Sequence, residues 1–259
     1  MPAVITMLFA LVALIQAPGL VGQSSQDIQD DRADVRRRVE SFEKLVKDAE
    51  KDAEAVAMLD GMIAMFKESG PRDRGRVLKT IIASVKVSDT PKDKTKPRNL
   101  PIEAAERMSQ MGVEAFKPLV DLLNDRKIGL DLARVTPLAA GLVKLGIGTA
   151  DALDTSLKML DDSNPRLYAG LVPAFASLEL ETQAKRKRIV GEILSAHETI
   201  QARIDKDKPI SADEKPKFAE SMNIATITTL NALAGQKQPD VAAFRAWYAE
   251  NKAKDWPDK

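Results

Sequence analysis

Pro101-Ile102-Glu103-Ala104-Ala105, Pro137-Leu138-Ala139-Ala140-Gly141 and Pro173-Ala174-Phe175-Ala176-Ser177 repeat one pattern at intervals of 36 residues: a proline, an alanine three residues on, and a small residue after it. An internal period in that range marks a chain built from helical repeats, in which each unit buries its apolar face only against its neighbours. The pattern predicts an all-α fold, a right-handed α-solenoid of stacked antiparallel helix pairs with about four to five hairpins. It speaks of architecture before chemistry.

Outward from these stretches, apolar residues recur at helical spacing. Over 24–50 a highly charged segment carries one narrow stripe, Val35, Val39, Phe42, Leu45 and Val46, which predicts an N-terminal helix. Residues 51–87 read as a first helical hairpin broken at Gly70-Pro71. Residues 88–100 hold Pro91 and Pro97 with Lys92, Lys94 and Lys96 between them and Pro101 just beyond, show no apolar period, and read as a linker loop. The array proper spans 101–259, with hairpins expected at 102–124, 129–160, 165–205 and 211–252. Asn164-Pro165 has the form of a helix cap followed by a first-turn proline, and Ser211 with Glu214 has capping-box spacing. Pro137 and Pro173 fall inside helical patterns, where a kink is expected. No window alternates as a strand would.

Residues 1–26 contain no charged side chain, and Val4 to Ile15 form an apolar run short of the roughly 20 residues a spanning helix needs. Residues 1–23 therefore read as a secretion signal, with an uncleaved membrane anchor as the other reading, and the expected location is exported, periplasmic or extracellular. The chain has no cysteine, which removes a disulfide framework and thiolate metal sites. Its 39 basic and 38 acidic residues give a net charge of +1, which removes the electrostatic case for nucleic acid as a partner. No stable membrane span is expected once the leader is cleaved.

The stretch from Ala104-Ala105 through Gly112 to Phe116-Lys117-Pro118-Leu119-Val120-Asp121-Leu122-Leu123-Asn124-Asp125 resembles the HEAT-repeat family. A small-residue helix and a glycine turn precede a Pro-Leu helix that ends in Leu-Leu-x-Asp. Leu157 to Ala169 is similar to the second half of such a unit and the start of the next, and Leu123 to Leu160 is 37 residues. The likeness covers about 101 to 196; the turn at Arg126–Gly129 departs from it, and Arg166-Leu167 stands where the family has valine-arginine. The resemblance implies stacked helix pairs with a concave surface that binds other macromolecules. It implies no catalytic residue.

His197 is the only histidine, so a histidine metal site is not expected and catalysis would have to rest on carboxylates. Paired acids such as Asp30-Asp31 and Asp161-Asp162 read as helix caps or solvated turns. Gly146-Ile147-Gly148 lacks a preceding strand and reads as a turn, not a nucleotide loop. Two groups are candidate partner-binding residues. Lys185, Arg186, Lys187 and Arg188 form the densest basic cluster, set against the reading that they open an amphipathic helix with a solvated polar face. Arg36, Arg37 and Arg38 are expected to pair with the acids beside them. Trp247, Tyr248 and Trp256, with Phe244, gather aromatics near the C-terminus, either as a partner site or as an end cap in which Trp247 is buried and Trp256 lies in a frayed tail. The function expected is a non-catalytic exported protein-binding or scaffolding module with no cofactor. The alternative is an enzyme of the HEAT-like bilin lyase type using a concave pocket.

Overall fold

The computed structural model describes residues 30–87, 98–146, 150–161, 164–207 and 210–256. The expected leader, residues 88–97 of the linker and the turn at Ile147-Gly148 lie outside the described residues. Within them the fold is all-α, without a strand. Eleven α-helices follow in order: α1 (Ala33–Lys47), α2 (Asp52–Glu68), α3 (Pro71–Val85), α4 (Leu100–Met108), α5 (Phe116–Leu123), α6 (Leu132–Gly146), α7 (Ala150–Leu160), α8 (Pro165–Phe175), α9 (Gln183–Ile204), α10 (Lys215–Ala234) and α11 (Val241–Asn251). No helix among the described residues is long and apolar enough to cross a membrane.

The even-numbered helices pack in succession, α2 on α4, α4 on α6, α6 on α8 and α8 on α10. α1 and α3 flank α2, α5 and α7 lie on α6, α9 lies on α8 and α10, and α11 lies on α10. The apolar stripe of each helix turns into this stack, so Phe42, Leu59, Ile81, Met108, Leu138, Leu171, Ile193, Leu230 and Phe244 join one continuous buried cluster. α8 approaches α6 closely: a Cβ at Gly170 would lie 2.6 Å from Val135 Cγ1, so only glycine lets the two backbones meet there.

The period of the prolines marks this row but not a common position in it. Pro101 lies in the first turn of α4, whereas Pro137 and Pro173 lie inside α6 and α8, both of which continue past the proline. Ala104 and Ala105 are buried, whereas in the third copy Pro173 and Ser177 are exposed and Ala176 is only half-buried. Asn164 caps α8 as expected, its Oδ1 accepting from Arg166 N–H at 3.0 Å, and its Nδ2 donates to Gly129 O at 2.8 Å, which ties together the two ends of the 129–164 unit. The capping box at Ser211 does not form. α10 starts only at Lys215, and the Ser211 hydroxyl donates to the Glu214 carboxylate in the turn ahead of it.

Helix ends inside such a stack leave carbonyls and N–H groups without intrahelical partners, and these must be met elsewhere. Three buried arginines meet the carbonyls. Arg98 Nη2 donates to Val46 O at the end of α1 (3.0 Å), Arg134 Nη1 donates to Val85 O and Val87 O at the end of α3 (3.1 and 3.0 Å), and Arg186 Nη1 donates to Leu233 O near the end of α10 (2.8 Å). They are 7, 9 and 2% exposed. A guanidinium suits this task, because it carries several donors and its charge complements the negative end of the helix dipole.

Aspartates serve the other ends. Asp30 accepts from the N–H groups of Arg72 and Asp73 at 3.0 and 3.1 Å, capping α3, whose own N-cap is Gly70. Asp52 Oδ2 accepts from Asn99 and Leu100 N–H at 2.8 and 3.0 Å while its Oδ1 pairs with Arg98 at 2.8 Å. The last residues of the expected linker are thus packed, Arg98 among them. The expected local pairing of Arg36–Arg38 is also revised: Asp31 pairs with Arg72 and Arg76 of α3, and Asp34 with Arg32.

Replacing Arg134 with Met should strand the two α3 carbonyls and lower stability by about 3 kcal/mol. Lys117→Met, which removes an exposed pair with Asp121, should stay within about 0.5 kcal/mol. Urea unfolding followed by circular dichroism checks both; equal effects would refute the role assigned to Arg134.

Candidate functional site

Where α9 turns back into α10 and α11 closes over them, the helices leave an open cleft. Two adjoining hollows of about 730 and 600 Å³ share His197, Gln201, Pro216, Ala219, Val241 and Ala242. Small side chains line the space, Ala202, Ala212, Ala219 and Ala242 among them. Asp240 fixes the entry of α11 by accepting from Ala243 N–H at 2.8 Å. Ile224 remains 58% exposed on the rim with α11 in place, so it is not a surface that α11 covers.

The polar groups of the cleft are largely spoken for. His197 Nε2 lies 2.8 Å from Asn223 Oδ1 and joins α9 to α10. Burial, helped by the nearby Arg245 charge, holds the His197 pKa below the ordinary histidine value, so the ring is neutral at pH 7 and Nε2–H is the donor. Arg245 pairs with Glu198 at 2.8 Å and donates to Leu194 O at 2.9 Å. The Lys215 ammonium donates to Asp205 O. Gln201 Oε1 is different: it is buried and has no hydrogen-bond partner.

The described carboxylates whose pKa is displaced, Asp31, Asp34, Asp60 and Asp125, lie outside the cleft and all move down, the first three chiefly through hydrogen bonds from Arg76, Arg32 and Arg107. At Asp125 burial acts upward, but hydrogen bonds from Lys127 and Ile128 N–H and from Lys86 outweigh it. Among the described residues no group of histidine, aspartate and glutamate could hold a metal ion.

The two groups singled out by sequence meet at one junction beside the cleft. Lys187 Nζ donates to Lys254 O at 2.5 Å and sits 5.5 Å from the centre of the Trp256 ring, while the Tyr248 hydroxyl donates to Lys187 O at 3.3 Å. Trp256 packs on Trp247 and Tyr248 with ring centres 5.5 and 6.0 Å apart, and its Nε1–H donates to Asn251 O. The other basic residues are engaged as well. Lys185 pairs with Glu181 at 3.0 Å, Arg188 with Asp154 at 2.7 Å, and Arg186 is buried at the end of α10 instead of facing solvent.

The roles of the two tryptophans are the reverse of those expected. Trp256, in the short turn after α11, is 4% exposed, and Trp247 is half-buried. The reason is the tail's return across α9, which the helical period of Phe244, Trp247 and Tyr248 does not encode. Of the cleft residues, sequence marks only His197, by its rarity. Glu198, Asn223 and Arg245 carry no signal.

Trp256→Ala should therefore lower stability by about 3 kcal/mol, more than Trp247→Ala. Thermal melts of both variants check the order. The emission of Trp256 alone, read in Trp247→Ala, should be blue-shifted; a water-like emission would refute its burial.

No family model matches the chain, and no curated protein and no solved structure is recognisably similar to it.

Proposed function

We propose that this chain is a non-catalytic binding module: an exported α-solenoid of stacked helix pairs, of the HEAT-like kind, that holds a protein partner in the cleft at its C-terminal end. One observation carries the reading. α2, α4, α6, α8 and α10 pack in sequence, and open hollows recur at the junctions of that row, between α4 and α6, between α8 and α10, and at α9, α10 and α11. A succession of this sort presents a long surface of graded shape, which suits recognition of a macromolecule better than enclosure of a reacting centre. The apolar run Val4–Ile15 supports export.

Removal of residues 129–164 tests the repeat reading. Its ends already touch through Asn164 and Gly129, and the excised stretch holds α6 and α7 whole. The shortened chain should remain helical and monodisperse with a lowered melting temperature, whereas deletion of 129–146 alone should aggregate. Equal behaviour would sink the repeat register. The binding reading is tested by Ala242→Trp, which fills the cleft from an exposed position on α11. Cross-linking from native extract should give a discrete adduct with the wild-type chain that this variant loses while melting normally. An adduct unchanged in the variant would overturn the assignment of the cleft.

A further inference from the structure

We infer that His197 makes the wall of the C-terminal cleft acid-labile: when its ring takes up a proton, α11 lifts from α9 while the row from α4 to α8 stays packed. The binding reading enters only through the consequence, that a partner held in the cleft is let go below neutral pH. His197 is the only histidine of the chain, is 9% exposed, and sits where four helices meet. From its place on α9 it has the Tyr168 ring of α8 at 6.3 Å between centres, Asn223 of α10 accepting its Nε2–H at 2.8 Å, and Arg245 of α11 lining the same hollow. That hydrogen-bond partner is a neutral amide oxygen, not a carboxylate that would welcome a cationic ring.

The charges around the ring decide what a proton does there. Glu198 and Asp205 on α9, Lys215 and Glu220 on α10, and Asp240 and Arg245 on α11 line the two hollows, and α8 presents the phenol of Tyr168, kept neutral by burial. The four carboxylates are exposed, where water weakens their hold on a buried cation. Arg245 is half-buried and fixed on Leu194 O at 2.9 Å, one turn before His197. A protonated ring therefore adds a second sheltered cation beside the first. Burial foremost, and then the Arg245 charge, hold the His197 pKa below its ordinary value against the upward pull of the Asn223 bond and of Glu198. In an opened junction the ring titrates near the ordinary value of about 6.5, and in the closed one lower. The closed form is thus fully favoured above that value and loses ground as pH falls through it. α11 is the element that yields, since it buries only Val241 and Phe244 and is tied to α9 by Arg245 on Leu194 O and Glu198 and by Tyr248 on Lys187 O. Its departure removes Arg245 from the ring and admits water, which relieves both costs at once.

The test compares the full chain at pH 7.5 and 5.5. The single histidine gives one ring Cε1–H resonance in a pH titration by NMR. Its midpoint should lie below that of free histidine and move up in Arg245→Gln, which keeps a donor for Leu194 O and drops the charge. Amide hydrogen exchange, corrected for the intrinsic rate, should quicken severalfold across α11 at the lower pH and stay level across α4, α6 and α8. His197→Gln keeps an N–H for Asn223 and takes up no proton, so its α11 exchange should be the same at both pH values. A midpoint at or above the free value, a midpoint unmoved in Arg245→Gln, level α11 exchange in the wild-type chain, or equal quickening in His197→Gln would each overturn the inference. The two readings separate cleanly. Loss of the partner adduct at pH 5.5 in the wild-type chain and not in His197→Gln upholds both. An adduct that persists at pH 5.5 while α11 exchange quickens upholds the acid-labile wall and removes the partner from the cleft.

Discussion

A buried guanidinium on the carbonyl end of a neighbouring helix is the interaction on which this fold most depends. Stacking short helices side by side buries their ends as well as their faces, and a buried carbonyl without a donor is costly. The carbonyls of Val46, Val85 and Leu233 at the ends of α1, α3 and α10 are met in buried hydrogen bonds, for which Arg98, Arg134 and Arg186 are brought in from remote parts of the chain to supply donors. Two of these cations are themselves held by carboxylates, Arg98 by Asp52 and Arg134 by Asp131. Desolvation of the charge is thereby offset at each step. Asp52 then passes the constraint on, since its second oxygen caps α4. End by end, the same residues that neutralise one helix terminus set the register of the next.

The C-terminal cleft is shaped by the same economy. α11 touches α9 through polar groups at two heights, Tyr248 on Lys187 O and Arg245 on Leu194 O, and the returning Trp256 clamps the upper of them. These contacts hold α11 as a wall over the bend between α9 and α10.

Much of the fold is legible in the sequence because apolar spacing reports which face of a helix is buried, whatever it is buried against. The stripes of α1, α2 and α3 were readable for this reason, and so was the cap at Asn164, whose signal is local. Charge is less readable. Lys185-Arg186-Lys187-Arg188 looks uniform, yet one member is buried, one lies over an indole and two make surface pairs. The distinction depends on partners up to 69 positions away, Trp256 for Lys187, which no local pattern contains. Gln201 was invisible for a related reason: an unmet hydrogen bond exists only once every neighbour is placed.

The proline period shows where the two kinds of information part. A spacing of 36 residues returns the chain to the same row, so the three prolines fall on α4, α6 and α8. The helices of the row differ in where they begin, however, and the proline moves from the first turn of α4 into the interior of α8. A proline in a first turn costs nothing, whereas in an interior it forfeits a hydrogen bond, and α8 accommodates the loss near its C-terminal end, on an exposed face. The period therefore reports the length of chain needed to go out and back through one pair of helices. Which residue packs at each return is decided separately, by contacts such as Gly170 on Val135, and it is these that determine how closely the helices of the row approach.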